Sequence, residues 1–342
     1  MTVESSRQIA AALSPYGLHR VIGQPGVLPQ AAEKLDATSP CQATELEISV
    51  EHIHIDASSF AQLRRAHGGD AAAVRGALLA LVRQRGKLHN PVTNSGGMLT
   101  GAVRRAGPAF AHAPAPGTRI ATLVSLTLTP LHLDFLDVPD VRTSAAAARG
   151  TAFLFETGLW VELPSDIPAP VSLAAFDVAG APARVRSRTR RGSRVLIIGA
   201  GRSGVLSAVA AAEAGAVEVL VADVDTKRLA MLDELKLPAI RALPGNACDA
   251  VAFAELVGRP VDLTVSCVDV PGVETACILS TRRDGHILFF SMATDFTRAA
   301  LGAEGVGSAA TLEIGNGFMP GHAAHVVDLL RRHPRLWQLL SV

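Results

Sequence analysis

The sequence predicts an α/β chain in which a doubly wound parallel sheet follows a β-rich first domain. Three observations carry this. Val195-Leu196-Ile197-Ile198 runs straight into Gly199-Ala200-Gly201-Arg202-Ser203-Gly204, and an alanine-rich segment comes next. From there onward apolar strand patterns alternate with helical ones, the signature of βαβ units. Before residue 165 the chain instead shows alternating and glycine-punctuated strand patterns with little helix.

Strand, glycine turn and helix in that order form the context that a dinucleotide fingerprint needs. Gly199 permits the tight turn, Gly201 lets backbone approach a pyrophosphate, and Gly204 lets the helix pack close on the strand. The helix N-terminus, which begins with Arg202 and Ser203, offers N–H groups to the phosphates. A glycine turn without a nucleotide is the alternative. Val217 to Asp223 reads as the next strand, and it ends in an acid 22 residues after Gly201. A carboxylate there accepts bonds from both ribose hydroxyls and repels a 2′-phosphate, so the expected cofactor is NAD. Arg228 follows shortly after, which keeps NADP open.

The 342 residues suit two domains rather than one core. With 32 basic and 31 acidic residues, no global field calls for nucleic acid or an anionic membrane. Aromatics make up only 4%, so the core must be mostly Ala, Val and Leu. Cys41, Cys248, Cys267 and Cys277 are widely spread, as expected of reduced thiols in the cytoplasm. Glu4 and Arg7 stand where a signal peptide would need an apolar run. No stretch reaches the 18 uncharged apolar residues that predict a membrane span.

In chain order, residues 1–40 read as mostly irregular. Glu45 to Ile55 alternates polar and apolar residues, which predicts a half-buried antiparallel strand. Asp56 to Phe60 breaks it. Residues 70–86 form an amphipathic helix with Val74, Leu78, Leu81 and Val82 on one face. Lys87 to Val103 reads as a glycine-punctuated loop and strand, and Gly117 to Val124 as turn plus strand. An uncharged continuation to Leu133 suits the wall of a cleft, and strand signals flank Glu156. Pro164 to Pro168 marks a boundary. The expected domains are thus 1–165 and 166–320, with helical residues 321–342 packing back on the first.

In the second domain residues 171–183 look helical, and residues 184–194 hold six arginines. That run reads as a solvated linker face in preference to a phosphate patch. Helix 226–236, strands 261–268 and 286–291, helix 296–303 and strand 311–314 complete the pattern. Ligands of such sheets bind outside the strands' carboxyl ends, which places Cys267, Val268, Ser291, Met292, Gly315 and Asn316 at the crevice.

A β-rich domain ahead of a Rossmann domain resembles the medium-chain dehydrogenase/reductase architecture, whose first domain is GroES-like. More specifically, the chain resembles the NAD-dependent 3,5-diaminohexanoate dehydrogenases of bacterial lysine fermentation. The likeness is carried by His19-Arg20-Val21-Ile22, Gly26-Val27-Leu28-Pro29-Gln30, Asn90-Pro91-Val92-Thr93 and Ser95-Gly96-Gly97-Met98-Leu99. It continues through Ala121 to Leu126, Asp177 to Ala183, Phe290 to Thr294, Ala300 to Gly307 and Gly315-Asn316-Gly317. The resemblance implies oxidative deamination of a diamino acid, with release of ammonia and NADH. By analogy with relatives it also implies a homodimer or dimer-based oligomer, in which the edge strand 311–314 could pair with its copy.

Zinc alcohol dehydrogenases of this architecture take ligands from three places, which here hold Asp56 to Ser59, Gly96-Gly97-Met98 and Asp177. Gly97 cannot ligate and the other two places hold neither Cys nor His, so no metal is expected. His52 and His54 lie two apart on one strand, a metal pair without a third ligand. In this layout Asp177 lies beside the nicotinamide, where a carboxylate can bind an ammonium and act as general base; a helix N-cap is the alternative. Glu156 is the candidate for the substrate's second ammonium, with Glu304 behind it. For the substrate carboxylate the candidates are Arg20, Lys87 and Arg298, with Asn90, Thr93 and Ser95 as neutral donors. The competing readings are a zinc-free NADPH-dependent quinone or enoyl reductase, and a nucleotide-sensing or nucleic-acid-binding protein that uses the arginine run.

Overall fold

The computed structural model describes residues 14–291 and 293–340; expectations for residues 1–13 and for Met292 lie outside them. The chain divides into two compact units, Met1–Leu173 and Ala174–Val342.

In the first unit β1 (Glu45–Ile55) is followed by α1 (Ala57–Ala66) and α2 (Ala71–Arg85). Then come β2 (Gly97–Ala106), β3 (Arg119–Thr122), β4 (Leu131–Leu136), β5 (Ala145–Phe155) and β6 (Trp160–Glu162). They form one antiparallel sheet in the order β4-β5-β1-β2-β3-β6. β1 covers the residues that its alternation predicts. Its apolar phase slips between Val50 and Ile53, and the pairing to both neighbours shifts register at Val50/His52. A bulge there lets Ile53 and Ile55 join Leu46, Ile48 and Val50 in the core.

Asp70 caps α2 by accepting the N–H groups of Ala72 and Ala73, and Gly86 ends it in the left-handed conformation at φ 64°. Val74, Leu78 and Val82 are buried on one face, each worth about 1.5–3 kcal/mol. Leu81, expected beside them, is only partly buried. The break expected after β1 is instead the start of α1: Asp56 caps it through Ser58 and Ser59.

α3 (Ala169–Phe176) contains the division between the units, which therefore falls after Leu173 and not at 165. The second unit continues with α4 (Gly180–Arg188), β7 (Arg194–Ile198), α5 (Arg202–Glu213), β8 (Glu218–Asp223), α6 (Thr226–Ala230) and β9 (Ile240–Pro244). It goes on through α7 (Ala250–Val257), β10 (Val261–Ser266), α8 (Glu274–Ser280), β11 (Thr281–Phe289), α9 (Phe296–Gly305) and β12 (Thr311–Ile314). All strands are parallel, in the order β12-β11-β10-β7-β8-β9. This is the Rossmann order, with its direction reversing at β7 and β10.

α10 (His322–Arg332) and α11 (Arg335–Leu340) correct one expectation: they pack within the second unit, on α4 and α5. Val326, Leu329, Leu330 and Leu336 are fully buried there. Arg332 forks onto Glu213 of α5 at 2.9 and 2.7 Å, and His333 reaches the same carboxylate at 2.8 Å. Among the described residues no helix is long and apolar enough to cross a membrane.

Candidate active site

The reversal point between β7 and β10 is built from glycines that do different work. Gly199 leaves β7 at φ 105°. A Cβ there would stand 2.9 Å from Val268 Cγ1 and 3.2 Å from the Cys267 carbonyl, so the two strand ends meet only around a glycine. A Cβ on Gly204 would overlap the Gly199 carbonyl oxygen, which makes that position a packing requirement. Gly201 is different: among the described residues a Cβ there would meet nothing within 4 Å. Its lack of a side chain serves no contact with the described residues and leaves open space at the N-terminus of α5. That is the cradle a pyrophosphate needs, so these residues fit a dinucleotide.

Asp223 ends β8 as expected. Its Oδ2 accepts the Ala200 N–H at 2.7 Å and its Oδ1 the Asp225 N–H at 2.9 Å. The acid is thus held against the glycine turn, and lone pairs remain for ribose hydroxyls. The hydroxyls of Ser203 and Ser207 face the Cys267 thiol; burial pushes that thiol up to about 11 and the two hydroxyls pull it back. Cys267 therefore stays a neutral thiol near pH 7. Ser291 Oγ accepts the Ala293 N–H at 3.1 Å and fixes the turn after β11.

Asn316 is committed to the protein, since its Oδ1 accepts Arg184 at 2.7 Å and the Phe318 N–H at 3.2 Å. A Cβ on Gly315 would stand 2.7 Å from the Phe290 ring, so this glycine lets the β12 end lie against β11. Arg186, Arg188, Arg190 and Arg191 of the arginine run are exposed, as expected of a solvated face, and several of the run also brace the unit. Arg184 and Arg188 both bind Glu313, at 2.8 and 2.9 Å, and His286 joins them at 2.6 Å. Arg186 reaches His325, and Arg194 binds Glu218 at 2.6 Å.

Asp177 lies half-buried in the turn after α3. Burial lowers the pKa of the Arg202 guanidinium at the start of α5, and the Asp177 carboxylate raises it again. The candidate base is thereby electrostatically coupled to the first residue of the cofactor helix. Glu304 is exposed near the far end of α9, about 12 Å along the helix from the Phe296 end that follows the crevice turn. The structure does not bring it to the crevice.

In the first unit Asn90, Thr93 and Ser95 are brought together with residues that sequence reasoning had set aside as a strand break. Asp56 Oδ1 accepts the Ser58 N–H at 2.9 Å, the Ser58 hydroxyl at 2.5 Å and the Ser95 hydroxyl at 3.0 Å. Ser59 Oγ lies 2.6 Å from both Thr93 Oγ1 and Ser95 Oγ, and Thr93 and Ser95 are 3.0 Å apart. Asn90 donates to Gln62 Oε1 at 2.9 Å and accepts the Val92 N–H at 3.0 Å. Asp before two serines at the end of a strand was the available signal: it is a helix-cap sequence.

Glu156 is not part of this group. It follows Phe155, which pairs with Glu45 at the beginning of β1, whereas Asp56 and Gly97 lie at the other end. An eleven-residue strand separates them by roughly 30 Å, too far for one small diamino acid.

Two of the three expected carboxylate partners are spent. Arg20 is 1% exposed. It forks onto Glu45 at 2.7 and 2.6 Å and donates to the carbonyls of Asp36, Ser39 and Pro40. Burial would raise the Glu45 carboxyl, but the bonds from Arg20, His19 and the Gln42 N–H outweigh it and hold it at about 2. Lys87 is fully buried, with Nζ on the carbonyls of Pro29 and Gln30 at 2.8 and 3.1 Å. Arg298 is exposed in the first turn of α9, and among the described residues its guanidinium is engaged by no hydrogen bond or ion pair. His52 is half-buried and His54 buried in β1. Among the described residues no three His, Cys, Asp or Glu side chains gather as a metal site would require.

Residues 19–164 match the family described as L-erythro-3,5-diaminohexanoate dehydrogenase N-terminal domain. Residues 185–284 match alanine dehydrogenase/PNT, C-terminal domain. The L-erythro-3,5-diaminohexanoate dehydrogenase of Acetoanaerobium sticklandii is 39% identical over 329 residues, covering 92% of this chain and 94% of that protein. The one from Fusobacterium nucleatum subsp. nucleatum is 39% identical over 336 residues, covering 95% and 97%. Among solved structures, alcohol dehydrogenase TADH from Thermus sp. ATN1 shares the fold, with a TM-score of 0.53 at 16% identity over 89% of this chain and 85% of that one. Likeness at that level along nearly the whole chain decides the matter: the chain belongs to the L-erythro-3,5-diaminohexanoate dehydrogenase family of oxidoreductases.

Proposed function

We propose that this chain catalyses the NAD-dependent oxidative deamination of L-erythro-3,5-diaminohexanoate to 5-amino-3-oxohexanoate, with release of ammonia. The observation that carries the reading is the near full-length identity to two proteins bearing that name, joined to an intact dinucleotide cradle at Gly199, Gly201 and Gly204. Asp223 supports NAD over NADP, since a 2′-phosphate would meet its carboxylate.

Gly201 and the first turn of α5 would hold the pyrophosphate, and Asp223 the ribose. When bound, the nicotinamide supplies the hydride acceptor. Asp177 takes the proton that the substrate ammonium must lose before its carbon can be oxidised, and later one from the attacking water. Arg298 is suited to the substrate carboxylate. A guanidinium in the first turn of a helix works against the helix dipole, and an incoming anion relieves that conflict. The reading is metal-free, because the segments expected to supply zinc ligands, Asp56 to Ser59, Gly96-Gly97-Met98 and Asp177, contain neither Cys nor His.

The test is formation of reduced nicotinamide by purified protein given NAD and 3,5-diaminohexanoate, with and without a chelator. Turnover that survives the chelator is expected. Absence of turnover in protein that still binds NADH would overturn the substrate assignment and leave the cofactor domain intact.

A further inference from the structure

We propose that Asp56, with the hydroxyls that converge on it, forms a binding site for a primary ammonium group. The dehydrogenase reading supplies only the name of the natural ligand; the chemistry comes from the site itself.

The network is defined by its protons. Four hydroxyls take part, those of Ser58, Ser59, Thr93 and Ser95, and each has one proton to give. Asp56 Oδ1 can only accept, so Ser58 and Ser95 donate to it. Ser95 is then an acceptor toward Ser59 and Thr93. Ser59 and Thr93 have each other and Ser95 as side-chain partners, and Ser59 also reaches the Ser95 carbonyl at 3.4 Å, so acceptors for both protons lie within the group. Every hydroxyl proton of the group thus has an acceptor within it. What remains is a surplus of acceptors: the open lone pairs of Thr93, which is half-buried, and Asp56 Oδ2, which accepts no hydrogen bond among the described residues.

This weighs against the donor role expected for Thr93 and Ser95. Thr93 and Ser95 have acceptors for their protons within the group, and Asn90 gives one of its two amide N–H groups to Gln62 while its oxygen accepts the Val92 N–H. An anion would meet lone pairs and a negative charge. An ammonium group, with three donors and no acceptor, is the complement.

The site is also held in place and lacks a countercharge. The Asp56 N–H donates to the Gly96 carbonyl at 3.1 Å. A Cβ on Gly97 would overlap the His54 carbonyl and stand 3.1 Å from the Asp56 nitrogen, so strand end and loop are locked together. No Lys, Arg or His side chain forms a hydrogen bond or ion pair with Asp56 among the described residues. Capping α1 needs only Oδ1 and two backbone amides; it does not account for Thr93, Ser95 and the unused Oδ2.

Pentane-2,4-diamine carries two ammonium groups in the same relation as those of 3,5-diaminohexanoate and has no carboxylate. It is titrated calorimetrically into the full-length protein saturated with NADH, with pentane-2,4-diol as the neutral control. The wild type is expected to bind the diamine and not the diol. Asp56→Asn keeps a cap oxygen, and thus the fold, and is expected to weaken the diamine at least about tenfold with NADH affinity unchanged. Thr93→Val leaves the cap untouched and is expected to weaken the diamine about threefold or more. Should the asparagine variant fail to fold, the valine variant decides. Equal affinity in wild type and variants, equal affinity for diol and diamine, or no diamine binding by the wild type would overturn the site. Turnover of 3,5-diaminohexanoate tests the other reading separately: turnover unaffected by Asp56→Asn sinks the site alone. Absent turnover with Asp56-dependent diamine binding sinks the dehydrogenase substrate alone.

Discussion

The Asp223 carboxylate accepts the Ala200 N–H at 2.7 Å, which fastens the last residue of β8 to the glycine turn after β7. The side chain that shapes the turn is also the one that the proposed function assigns to the ribose. The two duties separate by substitution. Asp223→Asn keeps an acceptor and removes the charge, and it is expected to narrow the advantage of NAD over NADP by about tenfold in kcat/KM, or about 1.4 kcal/mol. Asp223→Ala should narrow it similarly and also lower stability by about 1 kcal/mol in urea unfolding, from the lost turn bond. An unchanged cofactor ratio in both variants would place ribose recognition elsewhere.

The fingerprint glycines should divide into two classes. Gly204→Ala forces a methyl group into the Gly199 carbonyl, so a loss of stability of about 1–3 kcal/mol is expected from overpacking. Gly201→Ala meets nothing within 4 Å among the described residues. It should melt like the wild type, yet bind NADH at least about tenfold more weakly, because the methyl group occupies the pyrophosphate's space. Parallel thermal melts and fluorescence titrations with NADH would show whether the effects separate.

Asp177→Asn is expected to lower kcat by about 10²–10⁴-fold, the usual contribution of a general base. NADH affinity should hardly change. Single-turnover kinetics would locate the loss in the chemical step, and near-normal turnover would remove Asp177 from the mechanism.

Lys87 makes a prediction about pH. Burial and the nearby Arg85 lower its pKa from 10.5 to about 8. Between those two values the unfolded chain binds more protons than the native one, so this group makes stability rise with pH across that window. The rise is at most about 1.4 kcal/mol per pH unit. Lys87→Met should abolish it, as urea unfolding of both proteins at several pH values within the window would reveal.

Much of the second unit was legible because its strands are short continuous apolar runs next to glycine turns; Val195–Ile198 and Val219–Ala222 admit few alternatives. β9 was not, because Arg241 interrupts its short apolar run and Pro244 ends it, so Ile-Arg-Ala-Leu-Pro does not announce a strand. α8 was hidden because it runs directly into β11 with no turn residue between Ser280 and Thr281. In the first unit β1 could be read from its alternation, but its bulge restores a phase that strict counting would lose.

Site residues divide along a similar line. Glycines and Asp223 were readable since their roles follow from backbone geometry close in sequence. Arg20 and Lys87 were misjudged because their partners are mostly backbone carbonyls of segments distant in sequence, which carry no side-chain signature. Asp56 was passed over because a helix cap and a strand break begin alike.

Gly97 has one more consequence. Its φ is 135°, and the His54 carbonyl occupies the place of any Cβ. In the zinc enzymes of the architecture this chain resembles, a histidine issues from the corresponding turn. Replacing Gly97 with histidine would therefore not install a ligand; the side chain would push against the end of β1. The position behaves as a ratchet. Converting this scaffold to zinc chemistry would require rebuilding the strand end together with the turn, and a screen of single substitutions would not find it.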